Sequence, residues 1–167
     1  MMEQLPDDGP FPKADLILEG GIEALLSSGV SASDVEDQYR QMLAGNRPRD
    51  AAAERTLDGP HRSDLLVMHR HKSMPANLSS TGEQKALLIG IVLSHARLVA
   101  RMTGSAPVLL LDEIAAHLDA GRREALFGII DDIGSQAFMT GTDRSLFAAL
   151  EGRAEFLAVS HGVVSGI

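Results

Sequence analysis

The feature that most constrains the fold is a short apolar run that ends in two acids. Val108–Leu111 follows Pro107 and contains no polar residue, and Asp112 and Glu113 come directly after it. An uninterrupted apolar run of this length is typical of a parallel strand that is buried on both faces. Acids that follow such a strand lie at the edge where open α/β sheets bind ligands. The run therefore predicts an α/β fold with a ligand site at the end of this strand.

Two interpretations of Asp112 and Glu113 are open. An apolar strand followed by Asp-Glu is typical of a Walker B element, in which the Asp holds Mg²⁺ and the Glu polarises the attacking water. In the simpler alternative the strand ends there and the two acids only solvate its tip.

The composition excludes several classes of function. The chain has 167 residues, enough for a core, and no cysteine, which excludes disulfides and zinc–thiolate sites and agrees with a reducing cytoplasm. No apolar run approaches the roughly 18 residues of a membrane span, and the acidic, proline-rich start is unlike a signal peptide, so we expect a cytoplasmic protein without a membrane partner. The net charge of −8 argues against a nucleic-acid surface over the whole chain, but leaves room for a local basic patch.

A helical subdomain is predicted for residues 14–56, after a tail of residues 1–13. Its expected elements are helices over Asp15–Leu26 and about Asp34–Ala44, with an N-cap at Ser33 and an interruption at Gly45 and Pro48. Acids outnumber bases in this part of the chain, and we interpret them as a solvated face.

A basic segment follows in residues 57–78. Leu65–Met68 predicts a short strand, and His69–Lys72 places positive charge at its end, with Arg62 just before the strand. An exposed strand end explains these charges, and so does contact with the phosphates of DNA or of a nucleotide. The candidates for such contact are Arg62, Arg70 and Lys72.

A well-capped helix is predicted after Ser79. Ser80 is a good N-cap and Glu83 completes a capping box, and the helix over about Gly82–Met102 is apolar nearly all round, as in a buried helix. The free N–H groups at its first turn could bind an anion, or the end could simply be well capped.

The rest of the chain alternates helices and strands. The expected elements are a helix over Ala120–Ile133 with an N-cap at Asp119 and a stop at Gly134, a strand over Gln136–Thr140, a short helix over Arg144–Leu150, and a closing hairpin of Glu155–Val159 with Val163–Val164. Strands near residues 108–112, 136–140 and 155–159 are expected to form a mostly parallel core.

In this order, the motifs SSTGEQK, VLLLDE, AHLD and MTGTD resemble those of ABC-type ATPases of the SMC kind. With DGPHRSDL (Asp58–Leu65), they are similar more narrowly to the carboxyl-terminal part of the RecF family of bacterial DNA repair proteins, from about Phe11 onward. The resemblance implies a partial ABC-ATPase (P-loop NTPase-like) head, with a signature and Walker B lobe in residues 57–167. It also implies ATP and Mg²⁺ as cofactors, and as partners DNA, a second copy in an ATP-dependent dimer, and recombination mediator proteins.

The resemblance also implies a role for each matching residue. Ser80, Thr81, Gly82 and Glu83 match the ABC signature, which in the family caps the γ-phosphate of ATP held by a second subunit. Asp112 matches the Mg²⁺ aspartate, Glu113 the catalytic glutamate and Asp119 the aspartate of the D-loop. Thr140 to Asp143 takes the place of the end of the switch strand, where many relatives have a histidine, so phosphate sensing would fall to Thr140 or Thr142.

The sequence departs from the family pattern at one decisive point. It contains no G-x-x-x-x-G-K-[ST] loop, and none of Lys13, Lys72 and Lys85 follows a glycine. In the family that loop lies in an amino-terminal half, so we expect this chain to be the second part of a longer protein and to bind MgATP poorly by itself. His117 does not match the position of the switch histidine, and we interpret it as a partly buried structural residue.

Two other functions are weighed against a RecF-like ATPase part. One is a protein-interaction module that kept the fold of an ABC head but lost catalysis, with the acidic helices of residues 15–55 docking a partner. The other is the head of an SMC or nuclease-associated protein, which the absence of long heptads disfavours. In each case a sheet that lacks part of its fold should expose an edge and promote self-association.

Overall fold

A computed structural model describes residues 9–166 of the chain. The elements in chain order are β1 (Ala14–Glu19), α1 (Gly21–Ser27), α2 (Ala32–Ala53), β2 (Asp64–His69), β3 (Met74–Pro75), α3 (Thr81–Thr103), β4 (Leu109–Leu111), α4 (Ala120–Ile133), β5 (Ala137–Met139), β6 (Leu157–Ser160) and β7 (Val163–Gly166). Short 3₁₀ helices lie between several of them, including Ile114–His117 after β4 and Arg144–Leu150 after β5.

The chain packs as two compact units. One contains residues 15–78, and the other is built from two separate parts of the chain, residues 9–14 and 79–166. Residues 57–78 therefore pack with residues 15–56. The sequence pattern had grouped them with the lobe that follows, and the domain limits at residues 13 and 56 stay a prediction.

The unit of residues 15–78 combines a small sheet with two helices. Its strand order is β1-β2-β3, and β2 pairs antiparallel with β3 through Met68↔Pro75 and His69↔Met74. Helices α1 and α2 contact each other, and Val35 is buried. The sequence correctly predicted a strand at Leu65–Met68.

Two helix predictions in this unit were wrong. The first half of Asp15–Leu26 is strand β1. A short apolar run fits the residue spacing of a helix as well as that of a strand, and here the segment pairs with β2. Helix α2 is not interrupted at Pro48, and its N-cap is Ser31, whose side chain accepts the N–H of Asp34. Pro48 cannot donate to the carbonyl of Ala44, but Ala44 is exposed and water can satisfy that group.

The second unit is organised around a two-stranded parallel sheet. Strands β4 and β5 pair in register Leu109↔Ala137, Leu110↔Phe138 and Leu111↔Met139, as the sequence predicted for these two segments. The core cluster on one side of this sheet joins residues of α3, β4 and α4 with three residues from the connecting segments: Phe11, Ala86, Ile89, Leu93, Ala96, Leu109, Leu111, Leu118, Leu126, Phe127, Ile130 and Leu150.

The other side of the parallel sheet is open to solvent. Leu110 is 78% exposed and its register partner Phe138 is 56% exposed, and Val108 is exposed as well. The prediction that Val108–Leu111 is covered on both faces is therefore wrong within the described residues. Parallel sheets are rarely uncovered, so this face lacks the layer that such a sheet requires.

The long helix α3 packs against the core with one face and exposes another to solvent. Ser80 caps it, and the capping box with Glu83 is present, as predicted. Seven of its residues are buried, whereas Leu88 and Val92 are exposed. By length and composition α3 could cross a membrane, but the core helix of a globular unit passes the same test. We interpret it as a core helix because its buried residues pack in the core cluster.

Residues 9–13 are not a free tail. Phe11 is only 2% exposed and belongs to the core cluster, and Arg122 Nε donates to the carbonyl oxygen of Pro10 at 3.2 Å. A Cβ at Gly90 would lie 3.1 Å from the carbonyl oxygen of Pro12, so the glycine lets this segment approach α3 closely. The tail prediction is wrong for these residues, and residues 1–8 lie outside the described part.

The last two strands form a hairpin of their own. β6 and β7 pair antiparallel from Leu157↔Gly166 to Ser160↔Val163, which confirms the predicted hairpin. The expectation that the strand near 155–159 joins the parallel core is wrong, since in the described residues β6 pairs with β7 alone. Leu157, Val159 and Val164 remain exposed on this hairpin.

Candidate functional site

The parallel pairing of β4 and β5 brings the two acids and a threonine together. Asp112 directly follows β4 and Thr140 directly follows β5, so the two residues are neighbours at the same edge of the sheet. The backbone N–H of Thr140 donates to the carbonyl oxygen of Leu111 at 3.1 Å and extends the pairing by one step.

The hydroxyl group of Thr140 connects both acids. Thr140 Oγ1 donates to Asp112 Oδ1 and accepts the backbone N–H of Glu113 at 2.9 Å. Glu113 has φ +49°, in the left-handed region that residues other than glycine rarely adopt. Glu54, Ser73 and His161 share this conformation, so the interpretation of Glu113 depends on its hydrogen bond to Thr140 and not on its backbone angle alone.

An open groove of about 260 Å³ lies beside Asp112, between α3 and the end of β4. Its polar residues are Lys85, Asp112 and His117, and its apolar wall includes Leu88 and Leu110. His117 is exposed, so its interpretation as a partly buried structural histidine is wrong. The four signature residues do not line this groove, although Lys85, in the second turn of α3, does.

The signature residues form the first turn of α3. Ser80 Oγ accepts the N–H of Glu83, and Glu83 Oε2 accepts the N–H of Ser80 at 3.0 Å. The N–H groups of Thr81 and Gly82 have no acceptor within the helix, because the first turn of any helix leaves its N–H groups unpaired. A Cβ at Gly82 would meet nothing within 4 Å, so packing within the described chain does not require glycine at this position.

Asp119 and Asp143 both act as helix caps. Asp119 Oδ1 accepts the N–H of Arg122 at 2.9 Å at the start of α4, as the sequence predicted. Asp143 Oδ1 accepts the N–H of Ser145 at 2.8 Å, and this bond, followed by one from the Ser145 hydroxyl, holds the pKa of Asp143 below its ordinary value.

Packing explains why no large residue follows Thr140. A Cβ at Gly141 would lie 2.7 Å from the ring of Phe147, which packs against the core cluster. A histidine at this position would displace that ring. Thr142, the other candidate for phosphate sensing, is exposed.

The predicted basic residues belong to the unit of residues 15–78, and they differ in whether acids of the same unit neutralise their charge. Arg70 is bound to Asp15 through Nε at 2.8 Å and Nη2 at 2.5 Å, so its charge is neutralised within the unit. Lys72 also has an interaction partner. Arg62 lines an open hollow of about 510 Å³ with Arg55 and His61, and His61 Nε2 lies 3.0 Å from the carbonyl oxygen of Thr56.

The residues near Asp112 could contribute to a magnesium site but not complete one. Among residues 9–166, no group of three or more His, Cys, Asp or Glu side chains could hold a metal ion. Mg²⁺ usually keeps several waters and binds through one or two carboxylates and substrate phosphates. Asp112 fits this mode because its carboxylate is exposed and Oδ2 is not the atom bound to Thr140.

The parallel pair of β4 and β5, with α3 and α4 packed on one face, is the partial P-loop NTPase-like fold that the order of motifs predicted. Two solved structures share the fold: "the recombination mediator protein RecF-ATPrS in RecFOR pathway", with a TM-score of 0.70, 22% identity and coverage of 92% of this chain and 39% of the other, and the RecF-ATP form, with a TM-score of 0.64 and 20% identity. No family model matches the chain.

Curated relatives extend the likeness to the sequence itself. The chain is 65% identical over 164 residues to the DNA replication and repair protein RecF of Mesorhizobium japonicum, 64% identical over 168 residues to that of Brucella abortus and 60% identical over 166 residues to that of Rhizobium meliloti. The chain is therefore similar in sequence to one part of these RecF proteins. It is covered almost entirely by these matches but spans only about 43% of the length of the first two relatives.

Sequence reasoning missed two features of the candidate sites. Arg55 is separated in sequence from Arg62 and its neighbour His61, and joins them in one hollow only through the fold. The bridge from Thr140 to Asp112 and Glu113 was also missed, although the pairing of the two strands could have indicated it.

Proposed function

We propose that this chain is the signature and Walker B part of a RecF-like, ATP-dependent DNA-binding protein of recombinational repair and replication restart. The observation that carries the proposal is the edge where β4 and β5 end, with Asp112, Glu113 and Thr140 hydrogen-bonded to one another. The sequence identity to RecF proteins of several bacteria supports it.

Each residue at this edge has a distinct task in the proposal. Asp112 would hold Mg²⁺, which supplies charge neutralisation at the β- and γ-phosphates when it is bound. Glu113 would orient the attacking water and accept its proton. Nothing in residues 9–166 supplies the backbone cradle and lysine of a phosphate-binding loop, so the nucleotide would be held chiefly by another part of the protein.

The uncovered apolar face supports the view that this chain acts together with another part of RecF. Leu110, Phe138 and Leu88 are exposed beside the candidate site, and more than half of the length of the first relatives lies beyond the matched segment. We propose that this further part covers the face and brings the phosphate-binding loop. The isolated chain should therefore self-associate, and coexpression with that part of a RecF protein should yield a soluble complex that forms ATP-dependent dimers.

The complex also tests the proposed function as a whole. If sedimentation shows the same dimer fraction with and without ATP, while the complex itself forms, the ATP-dependent role fails. If the complex forms dimers only with ATP, its association depends on the nucleotide, which a module that binds partners without ATP would not show.

The variant Gly82→Asp tests whether the first turn of α3 contacts ATP that a second subunit holds, without disturbing the folding of the chain. An acid in the first turn favours the helix through its dipole, and the site has room for it, whereas its charge would repel the γ-phosphate of a second subunit. We expect unchanged thermal stability and a loss of ATP-dependent dimers of about tenfold or more, measured by sedimentation of the complex.

Gly128→Asp is the matched control for this prediction. Gly128 is exposed on α4, and a Cβ there also meets nothing within 4 Å. Equal loss of dimers in both variants would contradict a role for the first turn of α3.

The hollow with Arg55 and Arg62 is the best candidate for contact with DNA phosphates within residues 15–78. Neither arginine has an ion pair within the described residues, whereas Arg70, Arg40 and Arg49 all pair with acids. Two unpaired guanidinium groups in one hollow can bind phosphate oxygens, and such contacts make binding salt-dependent.

The double variant Arg55→Gln/Arg62→Gln should weaken binding of a short duplex and reduce its salt dependence. The slope of log K against log salt should fall by about 1 for each phosphate that the variant no longer neutralises. Fluorescence anisotropy over a range of salt concentrations measures both effects. Arg40→Gln/Arg47→Gln removes the same charge from α2, so an equal change in that control would show a general charge effect instead.

A further inference from the structure

The hydroxyl group of Thr140 is fully engaged by the two acids. It donates its proton to Asp112 Oδ1 and accepts the N–H of Glu113 at 2.9 Å. A hydroxyl group has only one proton to donate, so none remains for a phosphate oxygen. We infer that Thr140 is a positioning residue that aims the Asp112 carboxylate and fixes the Glu113 backbone, rather than a phosphate sensor. The inference rests on the proposed function because it gives Asp112 and Glu113 their roles.

The bond to Asp112 controls how that carboxylate can meet a cation. With Oδ1 held by Thr140, the group cannot rotate freely, and Oδ2 is the oxygen left for a ligand. Mg²⁺ demands near-ideal octahedral geometry, so a fixed carboxylate is better suited than a mobile one. Partners that orient a metal ligand are typically worth about 10–100-fold in metal affinity.

The bond to Glu113 controls the backbone at the strained turn. Glu113 has φ +49°, and its N–H is the group that Thr140 Oγ1 accepts. A residue in this sparsely populated region stays there only when its surroundings hold it. A single threonine directly after the neighbouring strand therefore fixes the position of the proposed metal-binding residue and of the proposed water-orienting residue.

Thr142 provides an internal comparison. It lies two residues further along the chain, is exposed, and its hydroxyl has no hydrogen-bond partner within the described residues. If a hydroxyl at this end of β5 senses a phosphate, Thr142 retains the free proton to do so and Thr140 does not.

The first test needs neither metal nor nucleotide. In the ¹⁵N-labelled chain, held in its complex with the remaining part of RecF but without metal or nucleotide, Thr140→Val should shift the Glu113 amide resonance and speed its hydrogen exchange about tenfold, because the amide loses its acceptor. Thr140→Ser keeps the hydroxyl and should restore both values, and Thr142→Val should change neither. An unchanged Glu113 amide in Thr140→Val would overturn the inference.

The second test measures metal binding in the complex with the remaining part of RecF and ATP. Thr140→Val should weaken Mn²⁺ binding, followed by electron paramagnetic resonance, by about 10–100-fold, whereas Thr140→Ser and Thr142→Val should stay close to the unchanged protein. Loss of binding in Thr140→Ser equal to that in Thr140→Val would overturn the inference, since the hydroxyl would then be irrelevant. If Thr140→Val does not fold, Thr140→Ala replaces it.

The two tests also separate this inference from the proposed function. If the unchanged complex binds no Mn²⁺ with ATP, the proposed function fails, and the Glu113 amide still decides whether Thr140 holds the turn. If the unchanged complex binds Mn²⁺ with ATP, and Thr140→Val changes neither the Glu113 amide nor the Mn²⁺ affinity, the inference fails and the proposed function stands.

Discussion

Glu113→Gln, introduced into the complex of this chain with the remaining part of a RecF protein, is expected to lower ATP turnover by about 10²–10⁴-fold. The amide keeps the size of the side chain but cannot accept a proton from the attacking water. Asp112 and the first turn of α3 are unchanged, so ATP binding and ATP-dependent dimers should persist or increase. Phosphate release and sedimentation, measured on the same sample, separate the two effects.

Glu124→Gln is the charge-matched control for this prediction. Glu124 is exposed on α4 and takes no part in the edge formed by Asp112, Glu113 and Thr140. Its replacement should leave turnover within about twofold, as surface substitutions away from a site usually do. Robust turnover by the 167-residue chain alone, abolished by Glu113→Gln, would contradict the proposal that this chain needs another part of the protein.

The local signals around this site could be interpreted from the sequence because neighbouring residues create them. Asp119 and Gly134 bound α4 where predicted, and Ser80 with Glu83 forms the capping box of α3. The apolar run before Asp112 is a parallel strand, as its lack of polar residues indicated. Helix caps depend on hydrogen bonds between residues about three positions apart, which a sequence pattern can contain.

Phe11→Ala should cost about 3–5 kcal/mol of the free energy of unfolding of the unit that contains the candidate site. The ring is 2% exposed and lies in the core cluster, and close packing of the neighbouring segment on Gly90 leaves little freedom for collapse around a cavity. Since a domain is typically stable by only about 5–15 kcal/mol, the loss should be visible as a large shift of the urea unfolding midpoint.

Phe138→Ala makes the matching comparison on an exposed ring of the same unit. Phe138 is 56% exposed on the open face of the parallel sheet, so its removal should change the unfolding free energy by about 0.5 kcal/mol or less. It should also reduce self-association if that face is the one that aggregates. A midpoint shift for Phe11→Ala no larger than that for Phe138→Ala would show that residues 9–13 are dispensable.

Long-range packing is the part that the sequence did not reveal. Phe11 stands in a proline-rich, acidic segment that resembles a loop, and only its packing against α3 makes it a core residue. Strand β1 was mistaken for a helix because its identity depends on pairing with β2. The resemblance offered Thr140 as one of two phosphate-sensing residues, and its hydrogen bonds to Glu113 and Asp112 could not be read from the sequence because they join residues 27 and 28 positions apart.

The packing of Phe11 has a consequence for how the molecule acquires its structure. In the sequence, the unit of residues 15–78 stands between the two parts of the other unit, so it is synthesised completely before α3. Contacts within this unit can form early, whereas the residues of α3 that Phe11 packs against are synthesised only after the whole unit. Closing so long a loop carries an entropic cost that grows slowly with its length, and non-local contacts of this kind slow folding. Docking of Phe11 should therefore be a late step, and a prematurely terminated chain would leave this aromatic ring without its binding partner.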